Sequence, residues 1–292
     1  MVRALVIRAA GTNCDAEMVR AFEMAGAVPT LEHVDRLIAE PRRIQEVDLI
    51  GFPGGFSYGD DIASGRIFAM KLRERLYPAL RDAAAQGVPM IGACNGFQVM
   101  VQVGLLPGPD AGRDWPKDQP PGQSTALSYN VDGRFIDRWV RFAVNDRSAC
   151  IWTKGLTEAF GGPRSDAAMM LPIAHGEGRF VASGPDELSR LERNGQVAIR
   201  YLENPNGSEA DIAGICDPTG RIFGLMPHPE RYLDWTLHPF WTRLNADERR
   251  GPTPGLMMFQ NAVGAARGVG GARGARGAGV RGVSGVEDVS VV

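Results

Sequence analysis

VPMIGACNGFQVM, residues 88–100, reads as a short apolar strand running directly into an apolar helix, with Cys94 at the join between Gly92 and Gly96. Small residues on either side permit the sharp strand-to-helix turn called a nucleophile elbow, which lifts a side chain above the end of a sheet. The helix N-terminus then faces the sulfur, and its N–H groups favour the thiolate, the reactive form of cysteine. The same alternation runs back to the start of the chain. ALVIRAAG (4–11), VPTLEHV (28–34) and VDLIGFPGG (47–55) read as strands, and CDAEMVRAFEMAGA (14–27) and IFAMKLRERLYPALRDAAAQG (67–87) as helices. Strands and helices alternating at this length predict an α/β fold: a doubly wound, mostly parallel sheet with helices on both faces.

Beyond Leu106 the text changes to PGPDAGRDWPKDQPPGQS, so a Pro/Gly-rich insertion is expected at about 107–125. RFIDRWVRFAVN (134–145), MMLPIAHGEGRFV (169–181), QVAIRYLEN (196–204) and DIAGICDPTGRIFGLMPHPE (211–230) are rich in β-branched and aromatic residues. They predict added antiparallel strands, with a hairpin turn at Pro218-Thr219-Gly220. GLMMFQNAVGAAR (255–267) reads as a closing helix, which sets one domain over 1–266. Residues 267–292 are Gly/Arg-rich without apolar periodicity and are expected to form a flexible tail. Arginine-glycine segments elsewhere contact RNA, but a solvated extension is the preferred reading here.

The 292 residues carry 32 basic and 34 acidic side chains and a net charge of -2, so no global field points to nucleic acid or an anionic membrane. No apolar run approaches the ~20 residues of a membrane span. The opening MVRALVIRAAGTNCDAE turns polar too soon for a signal peptide, and a cytoplasmic protein is expected. Cys14, Cys94, Cys150 and Cys216 form no CxxC pair, and His33, His175, His228 and His238 show neither HxxxH nor HExxH spacing. Neither a disulfide framework nor a metal site has support in those spacings. Cys14, Cys150 and Cys216 read as buried structural cysteines.

A thiolate attacking an amide needs a proton for the departing nitrogen, so a histidine must lie within reach and be oriented by a third group. His228 and Glu230, in GLMPHPER (224–231), suit that task. Two residues apart on a proline-flanked extended segment, they project the same way, so the carboxylate can hold one ring nitrogen while the other meets the sulfur. In DLIGFPGGFSYGD (48–60) a strand ends at Gly54-Gly55, where bare backbone offers an oxyanion donor beside the Asn95 N–H. No Gly-Lys-Ser/Thr follows these glycines, which speaks against a phosphate cradle.

Together, GFPGGFSYGDDIASG (51–65), GACNGFQ (92–98), PIAHGEGRF (172–180), NPNGS-x5-GI (204–215) and GLMPHPER closely resemble the glutaminase subunits of phosphoribosylformylglycinamidine synthase, a branch of the triad glutamine amidotransferases. The match runs through most of residues 1–262. The resemblance implies a flavodoxin-like glutaminase fold with Cys94 as nucleophile, His228 as general base and acid, and Glu230 orienting it. It also implies that Gln98, one helical turn past Cys94, helps seat glutamine, and that the His175 segment lines the glutamine pocket or the partner interface, or is a structural loop. Ammonia would pass to a large ATP-using synthetase subunit, with a small bridging subunit as third member. No cofactor is expected in this chain; ATP and Mg belong to the synthetase. Two other readings remain: a stand-alone cysteine hydrolase of γ-glutamyl substrates, against which Gln98 and AHGEGRF weigh, and a non-catalytic scaffold, against which the intact Cys, His and Glu set weighs.

Overall fold

The computed structural model describes residues 1–161 and 168–277. Eleven strands are found among them: β1 (Arg3–Arg8), β2 (Val28–His33), β3 (Leu49–Phe52), β4 (Met90–Ala93), β5 (Thr125–Ser128), β6 (Ile136–Val144), β7 (Met170–His175), β8 (Arg179–Ala182), β9 (Val197–Tyr201), β10 (Ile212–Cys216) and β11 (Ile222–Leu225). Nine form one sheet in the order β2-β1-β3-β4-β11-β10-β9-β6-β7, and β5 pairs with β8 in a small second sheet. β2, β1, β3, β4 and β11 run parallel, whereas β10, β9, β6 and β7 continue the sheet antiparallel. The expected fold, a parallel half with added antiparallel strands, is therefore observed, and β11 is the strand on which the halves join.

Helices α1 (Asp15–Met24), α2 (Val34–Ala39), α3 (Arg66–Arg75), α4 (Tyr77–Ala85), α5 (Asn95–Val103), α6 (Leu156–Phe160), α7 (Pro185–Arg193) and α8 (Pro254–Gly277) connect or flank the strands. Alternation along β1 explains the two layers. Leu5 and Ile7 join one buried cluster with Phe68, Leu72 and Leu80 from α3 and α4, while Ala4 and Val6 join the other with Phe22 and Phe259. Phe22 of α1 and Phe259 of α8 meet edge to face, their ring centroids 5.2 Å apart. Burying apolar surface on both faces is what forces the strands of the parallel half to be apolar along their length.

Two boundaries differ from the sequence expectation. The single helix expected over 67–87 breaks at Leu76, because Pro78 lacks the N–H that a continuous helix would use there and instead sits in the first turn of α4. The last helix continues through Gly277, past Arg267 where the tail was expected to begin. Elongating an existing helix needs no new nucleus, and it continues here although five of residues 265–277 are glycines, the weakest helix formers after proline. The rest of the expected tail, 278–292, lies outside the described residues. The segment expected as an insertion carries no regular element between Val103 and Thr125. It is nevertheless anchored: Tyr77 donates to the Pro116 carbonyl at 3.1 Å and Gln196 to that of Pro107 at 2.8 Å.

Candidate active site

β3, β4 and β11 are neighbours in the parallel half, with Phe52 opposite Gly92 and Ala93 opposite Leu225. Their carboxyl ends therefore release three loops side by side, the usual position of a site in an open parallel sheet. The middle loop is a single residue. Cys94 joins β4 to α5 with φ 51° and ψ -110°, a conformation that costs an L-residue about 1–3 kcal/mol and persists only where the surroundings impose it. The flanking glycines show how they do so. A Cβ on Gly96 would lie 1.9 Å from the Phe52 carbonyl oxygen, and one on Gly92 would lie 2.4 Å from Met100 Sδ. The Cys94 N–H donates to the Leu225 carbonyl at 2.8 Å, tying the elbow to β11.

β11 supplies the base. Three residues after Leu225, His228 donates its backbone N–H to the Pro172 carbonyl at 2.8 Å, and its Nδ1 lies 2.7 Å from Glu230 Oε1. Glu230 is placed by a short 3-10 turn, Pro229–Arg231. Cys94 is 5 % exposed, His228 2 % and Glu230 1 %, so this chemistry is shielded from bulk water. Burial disfavours the imidazolium, yet the Glu230 carboxylate, helped by the sulfurs of Cys94 and Cys14, outweighs it and holds the His228 pKa well above the ordinary histidine value. The Cys94 thiol is turned to the Ala174 carbonyl at 3.6 Å, and His228 Nε2 makes no hydrogen bond. The three groups are assembled, with the thiol resting on β7 rather than on the base.

The third loop brings Gly54 against the imidazole. A Cβ there would lie 2.6 Å from His228 Cε1 and 3.2 Å from Cys14 Sγ, so no larger residue fits. Gly55, at φ 144°, bridges Thr12, and a Cβ on it would lie 2.7 Å from the Asn13 nitrogen. Asn95 opens α5, where its N–H has no acceptor within the helix. Its side-chain amide donates to Asp60 Oδ1 at 3.2 Å and to Gln98 Oε1 at 3.0 Å. Gln98 in turn donates to the Glu177 carbonyl, so the elbow helix holds the loop between β7 and β8. Asp60 also accepts from Ser64 Oγ at 3.0 Å; burial, with a smaller push from the Glu177 charge, raises its pKa.

His175 stands at the end of β7 and is 3 % exposed. Its Nδ1 meets Asn130 Oδ1 at 3.1 Å, and Asn130 returns a hydrogen bond to the His175 carbonyl at 2.9 Å. The ring lies flat on Gly178, where a Cβ would come within 2.2 Å of it. Burial, reinforced by the positive His228, lowers the His175 pKa to about 4, so it is neutral near pH 7. Its Nε2 is buried without a hydrogen-bond partner.

Three participants escaped sequence reasoning. Asn130 had no motif to mark it, and Asp60 lay unremarked inside a quoted segment. Cys14 read as a structural cysteine, yet it receives a hydrogen bond from Arg231 Nη2 at 3.1 Å and borders His228. Only the crossing of the 11–14 loop under Gly54 reveals it, through the 3.2 Å hydrogen bond from the Cys14 N–H to the Gly54 carbonyl.

A cysteine on a strained elbow, next to a histidine–carboxylate pair on the adjoining parallel strand, is the layout of a thiol-dependent acyl-transfer site. Residues 1–264 match the family described as the CobB/CobQ-like glutamine amidotransferase domain, and the chain belongs to that family. It is 40% identical over 275 residues to the phosphoribosylformylglycinamidine synthase subunit PurQ of Dehalococcoides mccartyi, covering 92% of this chain and 99% of that one. It is 41% identical over 284 residues to the subunit of the same name from Methanococcus maripaludis, covering 89% and 96%. Among solved structures it is similar to a chain of PurLQS from Thermotoga maritima, with a TM-score of 0.66 and 30% identity over 90% of this chain and 98% of that one.

Proposed function

We infer that this chain is the glutaminase subunit of a phosphoribosylformylglycinamidine synthase. It hydrolyses glutamine to glutamate and ammonia and supplies the ammonia to a synthetase subunit that converts formylglycinamide ribonucleotide to the amidine in de novo purine biosynthesis. The observation that carries the chemistry is the strained Cys94 elbow beside the buried His228–Glu230 pair. The PurQ relatives and the PurLQS likeness carry the acceptor and the partners, a large synthetase and a small third subunit.

In this reading the Cys94 sulfur leaves the Ala174 carbonyl, loses its proton and reacts as a thiolate paired with the His228 imidazolium, attacking the side-chain amide carbon of glutamine. Backbone N–H groups of Asn95 and of the Gly54-Gly55 turn stabilise the oxyanion. His228 then protonates the departing nitrogen, ammonia leaves, and a water deprotonated by the same ring hydrolyses the γ-glutamyl thioester. Glu230 keeps the imidazolium favourable at each transfer. Gln98 and His175 act by shaping the glutamine pocket: Gln98 through the loop it holds, His175 through the unpartnered Nε2 that it presents from a fixed ring.

With Cys94 5 % exposed and its sulfur against the Ala174 carbonyl of β7, glutamine reaches it only when residues 174–178 shift. A docked synthetase is the natural cause of that shift. The catalytic unit is residues 1–266, and it needs no cofactor of its own; ATP and Mg serve the synthetase. No described helix is long and apolar enough to cross a membrane, and a cytoplasmic location fits a purine-biosynthetic complex. Cys94→Ala tests the division of labour: glutamine-dependent synthesis should be lost and synthesis from added ammonia retained. Retention of glutamine-dependent synthesis would reject the assignment of the nucleophile.

A further inference from the structure

We propose that Cys14, His228 and Glu230 form a binding site for a thiophilic divalent cation, Zn²⁺ above all, whose occupancy reversibly switches the glutaminase off. The three side chains are buried, and one ligand atom from each lies within 4.8 Å of the others. Ligands on one tetrahedral zinc, bound at about 2.0–2.3 Å, lie about 3.3–3.8 Å apart. Closing the present cluster onto an ion therefore takes shifts on the order of 1 Å, within the reach of side-chain rotation.

Two further observations point to a ligand. Glu230 Oε2 is a buried polar atom with no hydrogen-bond partner and can bind a metal, and His228 offers it Nδ1, the ring nitrogen on the Glu230 side, 2.7 Å from Glu230 Oε1. A thiolate, an imidazole and a carboxylate are the donors that zinc accepts in four-coordinate sites, while Mg²⁺ and Ca²⁺ require oxygen ligands. Cys14 now contacts Asn13 Oδ1 at 3.6 Å and Arg231 Nη2 at 3.1 Å. Arg231 also faces Glu17, 3.6 Å from its Nε, so the guanidinium has an alternative partner when the sulfur turns to a metal. On binding, the Cys14 thiol proton and the His228 Nδ1 proton both pass to solvent, so the sulfur becomes a thiolate ligand and the ring binds through a bare nitrogen. A water completes the shell. The metal then occupies the imidazole and carboxylate that proton transfer requires, and inhibition follows.

The inhibitory consequence rests on the proposed glutaminase function, but binding does not, so the two are tested separately. Binding of zinc chloride alone to the full chain is measured by competition with a chromophoric chelator, for the wild type and the variants Cys94→Ala, Cys14→Ser and Glu230→Gln. Wild type and Cys94→Ala should bind zinc within about threefold of each other. Cys14→Ser and Glu230→Gln should each weaken that site at least about tenfold, and millimolar Mg²⁺ should not compete. In the assembled complex, zinc should inhibit glutamate release, and Cys14→Ser should raise the inhibiting concentration by the same factor relative to its own uninhibited rate. Wild-type binding by both Cys14→Ser and Glu230→Gln would overturn the site, as would loss of binding in Cys94→Ala, which would put the metal on the nucleophile instead. Tight binding without inhibition of a confirmed glutaminase would overturn the switch.

Discussion

Around Cys94 the parallel half of the sheet contributes the groups that react, and the antiparallel half contributes the groups that cover and hold them. Cys94, His228 and the Gly54 turn leave adjoining parallel strands and converge by register alone. Pro172, Ala174, His175 and Glu177 come from β7, the far edge of the sheet, and the loop beyond it, and reach back to the same place. The difference teaches that the reacting set is built once, by local geometry, whereas its access is set by a distant strand held through hydrogen bonds. Damage to the first half should remove chemistry; damage to the second should change binding, pH response and accessibility.

The largest effect is expected from Glu230→Gln. Losing the carboxylate should lower kcat for glutamate release in the complex by about 10³–10⁴-fold while the protein stays folded. It should also change the pH dependence of stability. Because His228 is held above its unfolded value, its protonated form stabilises the fold fully below an unfolded pKa of about 6.5, and that contribution is lost as pH rises through the folded value. Thermal unfolding of Glu230→Gln should show a smaller alkaline loss than the wild type. Equal pH slopes would mean that the pair does not carry this charge.

His175 should act with the opposite sign. Its folded pKa is depressed to about 4, so the stability of the neutral form is present above about 6.5 and is lost as pH falls toward 4. The full loss is about 3 kcal/mol, at 1.36 kcal/mol per pKa unit. Denaturant titrations of His175→Gln should be flatter over that window, and unchanged slopes would contradict the buried neutral ring. The smallest effect is expected from Asn130→Ala, which leaves His175 Nδ1 and the Gly178 N–H without their partner. It should cost about 1–3 kcal/mol of stability. In steady-state assays of the complex it should raise KM for glutamine several-fold with kcat nearly unchanged. A fall in kcat alone would move this network into the reacting half.

The reacting half was legible in the sequence because its determinants are local. Gly92-x-Cys94-x-Gly96 between two apolar runs specifies an elbow, and His228-Pro-Glu230 is stiffened by its prolines, so neither needs a remote partner to be recognised. The covering half was legible as strands but not in its reach. The contacts from Gln98 to Glu177 and from Asn130 to His175 join residues 79 and 45 positions apart, a separation that no periodicity reports. Cys14 is buried as expected, but its place beside the base was not readable for the same reason, since its neighbours Arg231 and His228 arrive from the other end of the chain. The break at Leu76 was missed because the apolar positions of α3 and α4 stay in phase across it, although Pro78 carried the signal.

Glutamate release from glutamine by the purified chain, alone and then with its synthetase, the small subunit, ATP and formylglycinamide ribonucleotide, tests the central claim most directly. A covered thiol that opens on assembly predicts slow release by the chain alone and strong stimulation, at least about tenfold, by the partners. Rapid release by the chain alone with no stimulation would contradict the account and leave a stand-alone cysteine hydrolase.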